Sequence, residues 1–268
     1  MIIFLFYFVI IGLTTLLSIL VPLPLWFMPL WLLISIIAAL LLVILSIIIG
    51  IPFSKIGKVD GKIKHFYIRH LSDFTRMILR MRITKVIGKE NIPNSNFVIY
   101  ANHKSNTDPF TLVSSIRRPM GFAAKSGVFT IPIIKHWLRS FGCININRDN
   151  DREAIKEILV GIKNVEAGLS MAIFPEGGIK SRETTLMEEV KPGAYRLATK
   201  PQVPILPVAI IGARHIQKNA PFKCSKLQVI ILPMIEPSVY NEMTTVELGD
   251  HVKELINQTI ITYTKGNL

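Results

Sequence analysis

Phe97-Val98-Ile99-Tyr100, followed by Asn102-His103-Lys104-Ser105-Asn106-Thr107-Asp108-Pro109, is an apolar run that ends in a polar loop and an Asp-Pro pair. The apolar run has the composition of a buried strand, and Asp-Pro is a helix start, with Asp as the cap and Pro at the first helical position. A strand, a short loop and a helix in that order form the repeating unit of an α/β domain. His103 and Asp108 lie five residues apart. On one α-helix they would point about 140° apart, so a contact between them requires His103 to sit on the loop and fold back. An imidazole braced by a carboxylate titrates near neutrality and can take a proton from an alcohol. Asp108 has a plainer reading as a helix cap alone.

Working outward, β-type runs alternate with helical stretches. Strands are expected at Phe97–Tyr100, Met120–Ala124, Cys143–Ile146, Ser170–Phe174, Ile205–Ile211 and Leu227–Leu232. Helices are expected at Pro109–Ser115, Ile131–Ser140, Asp151–Ala167, Gly193–Lys200 and Thr245–Thr262. This alternation predicts a single mixed, largely parallel sheet covered by helices on both faces. No internal repeat or Gly/Ser linker marks a second soluble domain.

Residues 1–54 contain no Asp, Glu, Lys, Arg or His. Two apolar stretches, Ile2–Val21 and Leu25–Ile51, each reach the roughly 20 residues that a bilayer-crossing helix needs. Pro22, Pro24 and Pro29, with Trp26 and Trp31, place a bend near a membrane interface. The expectation is a hydrophobic helical hairpin in the membrane. A cleaved signal peptide competes with it, but the start is not basic and the apolar run is too long.

Lys55, Lys58, Lys62, Lys64, Arg69, Arg76, Arg80 and Arg82 follow, which by the positive-inside rule puts the rest of the chain in the cytoplasm. From Lys64 to Arg82 the apolar residues recur at helical spacing, as in a basic amphipathic helix lying on the membrane or covering the core. The expected organisation is therefore a hairpin over 1–54, a basic interfacial segment over 55–85 and an α/β domain over 86–268. The formal charge of +13 resides wholly after Ser54. Beside a membrane anchor, it suits anionic headgroups, phosphorylated substrates or an acidic carrier better than nucleic acid. Cys143 and Cys224 have no metal-type spacing, and neither a disulfide framework nor a structural metal is expected.

Other candidates follow other strands. Phe174-Pro175-Glu176-Gly177-Gly178 would put Glu176 at the same sheet edge as His103, and its glycines allow close backbone approach. Taken alone, Glu176 reads as an ordinary loop carboxylate. Gly142 through Arg148 ends in an arginine that can hold a phosphate with two parallel hydrogen bonds. Lys180, Arg182 and Lys191 are further cations with the range of the same pocket, although exposed cations at loop ends are usually solvated.

The ordered blocks NHxSxxD (Asn102–Asp108), GxxxxxR (Gly142–Arg148), FPEG (Phe174–Gly177) and VPILPV (Val203–Val208) resemble the four motif blocks of the 1-acyl-sn-glycerol-3-phosphate acyltransferase family. The resemblance implies that His103 is the general base on a glycerol hydroxyl and that Asp108 orients it. It implies that Arg148 binds the acceptor phosphate, that Glu176 and Gly177 shape the acceptor site, and that Val203–Val208 has a structural or acyl-binding role. The acyl donor would be a thioester of acyl carrier protein or CoA, a co-substrate, with no cofactor.

The segment Gly178-Ile179-Lys180-Ser181-Arg182 departs from the Thr-Arg-Ser common in the family, leaving Lys180 and then Arg182 as substitutes. Asn145 also departs from the pattern. Lysophosphatidate is the implied acceptor; another lysolipid such as a lyso-ornithine lipid is the alternative. From different classes, a non-catalytic membrane-tethered basic module and a hydrolase remain open at this point.

Overall fold

The computed structural model describes residues 1–21 and 24–265. Pro22, read above as part of the bend, lies outside them. The chain divides into two compact units, Met1–Gly57 and Lys58–Leu268.

In the first unit, α1 (Ile2–Leu20) and α2 (Met28–Ser54) pack against each other, with a 3₁₀ turn at Leu25–Phe27 ahead of α2. Both are apolar around their whole circumference, and Thr14 Oγ1 donates to Ser35 Oγ at 2.9 Å between them. Ile2–Leu20 and Leu25–Ser54 are each long and apolar enough to cross a membrane.

In the second unit, α3 (Lys62–Ile78) leads into β1 (Met81–Ile87). Then come β2 (Val98–Ala101), α4 (Asp108–Ile116), β3 (Met120–Lys125), α5 (Ser126–Phe129), α6 (Pro132–Ser140) and β4 (Ile144–Ile146). The chain continues through α7 (Asp151–Glu166), β5 (Ser170–Ile173), α8 (Arg196–Thr199), β6 (Ile205–Ile211), α9 (Ile216–Asn219) and β7 (Ser225–Ile231). It ends in α10 (Pro237–Tyr240) and α11 (Thr245–Lys265). All six expected strands form, in one sheet ordered β1-β7-β6-β2-β5-β3-β4. β6, β2, β5, β3 and β4 run parallel, β7 is antiparallel to β6, and β1 is parallel to β7. This is the mixed, largely parallel sheet that the alternation predicted.

Every residue of β2 is buried, as a central strand covered on both faces requires. Period-two alternation divides its side chains. Val98 and Tyr100 enter the core under α7, α8 and α11, while Phe97, Ile99 and Ala101 enter the one under α4 and α9.

The basic segment departs from its expected form. Its helix stops at Ile78, Arg80 takes a left-handed conformation (φ 51°), and Met81 begins an edge strand. The reason is tertiary: Ser225 N–H donates to the Arg80 carbonyl and the Arg80 guanidinium donates to Phe222 O, which starts β1 alongside β7. α3 itself packs on α4 and β1, with Phe74 and Ser72 buried.

Asn102 closes the end of β2. Its amide accepts from Ile210 N–H (2.7 Å) and donates to Ile210 O (2.9 Å) and Thr185 O (3.1 Å), all without solvent exposure of its own. Asn102→Ala leaves those buried backbone groups unpaired. It is expected to cost about 1–3 kcal/mol of stability, read from denaturant unfolding of the detergent-solubilised protein.

Candidate active site

In a parallel sheet, the loops beyond the strands' carboxyl ends share one edge, where open α/β folds place their sites. His103 follows β2, Glu176 follows β5, Arg148 follows β4, and Lys125 ends β3, so the topology gathers these four there.

The Asp108 carboxylate organises the loop after β2. Its Oδ2 accepts from His103 Nδ1 at 3.0 Å and from the backbone N–H groups of Lys104 and Ser105, each at 2.9 Å. The α4 N-cap is Thr107, and Asp108 turns back toward the loop instead of capping the helix, which corrects its plainer reading. Asp108 is wholly buried, and its Oδ1 is buried without a partner among the described residues. The His103 ring is 12% exposed and stacks on Phe174 with centroids 4.2 Å apart. With Nδ1 on the carboxylate, Nε2 makes no hydrogen bond to any described residue.

Glu176 is engaged on both oxygens. Oε1 accepts from the His103 N–H at 2.7 Å, and Oε2 pairs with Lys104 Nζ at 2.9 Å. Both side chains of this ion pair are almost fully buried. Burial pushes the Glu176 carboxyl above the usual carboxylate range, against the opposing pull of the Lys104 ammonium and the His103 N–H. Glu176 thus joins the loop after β5 to the loop after β2, and its position is set by protein partners.

Around it the FPEGG turn is shaped by close approach. A Cβ on Gly178 would lie 2.5 Å from Arg148 Nη1, so a glycine there lets the guanidinium rest against the loop. Partial burial lowers the Arg148 pKa, with Asp149 pulling the other way. Gly177 adopts φ 70°, and a Cβ there would lie 3.3 Å from the Lys191 alkyl chain. Lys180 is ion-paired with Glu189, whereas Arg182 is exposed and has no partner among the described residues. The structure therefore brings His103, Asp108, Glu176, Gly177 and Arg148 to one edge, and it commits Lys180 to an acid on its own loop.

Three contributors were not singled out from the sequence. Lys104 gave no sign of burial, since its partner is 72 positions away. Phe174 reads as a strand end and Asn102 only as a motif letter. Cys143 offers no nucleophile, because burial pushes its thiol up to about 12.

The site is a histidine held by a buried aspartate beside a polar, cationic sheet edge, and the Acyltransferase family profile matches residues 83–211, which span it. The chain is 31% identical over 177 residues to the 1-acyl-sn-glycerol-3-phosphate acyltransferase of Borreliella burgdorferi, covering 65% of this chain and 67% of that protein. It is 26% identical over 235 residues to the Salmonella typhimurium enzyme of the same name, covering 82% of this chain and 94% of that one. The fold is also similar to the crystal structure of the 1-acyl-sn-glycerophosphate acyltransferase PlsC of Thermotoga maritima. That match has a TM-score of 0.64 at 23% identity and covers 75% of this chain and 79% of that one. The chain belongs to the 1-acyl-sn-glycerol-3-phosphate acyltransferase family.

Removing one partner of a buried ion pair strands the other charge. Lys104→Met is expected to lose about 3–5 kcal/mol in urea unfolding, and a Lys104→Met/Glu176→Leu double variant to regain much of that loss.

Proposed function

We propose that the protein transfers an acyl chain from a thioester to the sn-2 hydroxyl of 1-acylglycerol-3-phosphate, giving phosphatidate for phospholipid synthesis. The observation that carries this reading is the His103–Asp108 contact, which commits Nδ1 and leaves Nε2 to accept a proton. His103 Nε2 removes the hydroxyl proton as the oxygen attacks the thioester carbonyl, and Asp108 stabilises the imidazolium that forms. The tetrahedral intermediate collapses, the C–S bond breaks, and the imidazolium returns its proton to the leaving thiolate. Acyl ester and free thiol account for every atom, and no covalent acyl-enzyme is needed.

Arg148, the cation beside the FPEGG turn, holds the acceptor phosphate, and Arg182 is the free cation of the altered segment that follows. The lysine at position 180 is already paired, which favours Arg148 and Arg182 over it. Glu176 acts by fixing the His103 backbone, and Gly177 shapes the acceptor site. The donor is acyl carrier protein or CoA thioester, anionic in either form and suited to a strongly basic domain. The hairpin of α1 and α2 anchors the chain in the cell membrane, with the α/β unit on the cytoplasmic side among anionic lipids, as the cluster of lysines and arginines after Ser54 supports.

His103→Ala is expected to slow acyl transfer to lysophosphatidate by about 10²–10⁴-fold while expression and membrane attachment persist. Unchanged turnover would exclude His103 as the base. For Arg148→Ala, steady-state kinetics should show a KM for lysophosphatidate raised about 10-fold or more, with a smaller change in kcat, since hydrogen bonds to charged groups contribute about 1.5–3 kcal/mol. An unaltered KM would place the phosphate elsewhere.

A further inference from the structure

A second cationic site lies away from the catalytic edge. α3 begins at Lys62, and α4 ends at Ile116, after which the chain turns through Arg117 and Arg118. Between these two helix ends is a cleft of about 210 Å³, lined by Lys62, His65, Phe66 and Arg69 from α3 and by Arg117 and Arg118 beyond α4. No carboxylate lines it. α4 runs back from the His103 loop, so its C-terminal end lies toward the opposite edge of the sheet from His103.

Each cation has a local reason to be there. Arg118 donates to the carbonyls of Pro93 (3.3 Å) and Asn94 (2.8 Å), Arg117 Nε donates to Ser114 O (3.4 Å), and Arg69 lies over the Phe66 ring. Positive charge at the end of α4 also complements its dipole. None of this accounts for Lys62 and Arg69 lining, from a different helix, the same cleft as two arginines, where their combined charge would attract an anion. His65, one wall of the cleft, keeps its Nε2 buried with no hydrogen-bond partner. Burial holds the ring below its ordinary pKa, outweighing the opposing influence of the Val59 backbone and Asp60.

The flanks identify the source of the anion. Ile63 is 86% exposed and Phe66 43% exposed on the same helix as the cations, and Lys62 follows Ser54, the end of the apolar α2, by eight residues. Exposed apolar residues beside lysine and arginine on one helix mark an element that lies in the headgroup layer.

We infer that the α3–α4 cleft binds the phosphate of an anionic phospholipid headgroup, at a site separate from the one where the acceptor reacts. Arg69, Arg117 and Lys62 neutralise the phosphate, and Phe66 and Ile63 lie against the adjoining acyl carbons. Such a site seats the α/β unit on an anionic bilayer independently of the hairpin.

The test uses the full chain in a neutral detergent and follows its thermal midpoint as dihexanoyl phosphatidylglycerol, which is neither the acceptor nor the product, is titrated in. Native protein is expected to gain stability with saturation, and dihexanoyl phosphatidylcholine to have no effect. A Lys62→Gln/Arg69→Gln/Arg117→Gln variant should need about 100-fold more phosphatidylglycerol for half-saturation, at the usual contribution per basic residue near an anionic lipid. Should the triple variant fold poorly, Arg69→Gln alone provides the test, with about a 5-fold shift expected. Equal responses of native and variant protein, or an equal response to phosphatidylcholine, would overturn the inference. Stabilisation by inorganic phosphate at the same concentrations would also overturn it, by making the ligand a free anion. Because the readout is stability, it stands whether or not acyl transfer is observed, and acyl transfer in micelles should be the same for the variants as for native protein.

Discussion

One carboxylate oxygen, Oδ2 of Asp108, accepts hydrogen bonds from the His103 ring and from two successive backbone N–H groups. That oxygen converts a flexible loop into a fixed one. Three donors on one buried acceptor leave the loop after β2 a single low-energy path, and the path ends with the imidazole turned toward the carboxylate and stacked on Phe174. The path of the loop and the orientation of the ring therefore depend on the same atom.

The second constraint is the Lys104–Glu176 pair. Buried ion pairs are weak sources of net stability, because desolvation of the two charges offsets most of their attraction. Their value here is positional. Glu176 spans from the loop after β5 to the backbone of His103 and the side chain of Lys104, so the two motif blocks are held in one register across adjacent strands. Both Glu176 oxygens are taken up by protein partners, which fixes where its side chain lies. Asn102 supplies the matching tie on the other side of β2, to β6. Three parallel strands are thus cross-linked at the edge where His103 lies.

Much of the fold was legible in the sequence because parallel strands and amphipathic helices each impose a local period. Val98 to Ala101 is apolar at every position, as a strand buried on both faces must be, and α7 carries its start signal in Asn150, which accepts from the N–H groups of Arg152 and Glu153. The stretch from Lys64 to Arg82 was harder. Its spacing continues a helix past Ile78, and nothing local says that Arg80 will turn left-handed. The break is imposed by Ser225 and Phe222, more than 140 positions away.

The sequence by itself determined the charge-free apolar beginning, the alternation that makes an α/β sheet, and the blocks that put a histidine and an aspartate, an arginine and a glutamate after three of its strands. These are properties of composition and spacing, and they persist in an unfolded chain. Only the tertiary structure decided what each polar group does. It turned Asp108 from helix cap to histidine partner, buried Lys104 against Glu176, tied Lys180 to Glu189 and set Arg148 against Gly178. The reason is that a hydrogen bond or ion pair takes its strength from the burial and geometry of both partners, and for groups separated by tens of residues those exist only once the sheet has assembled.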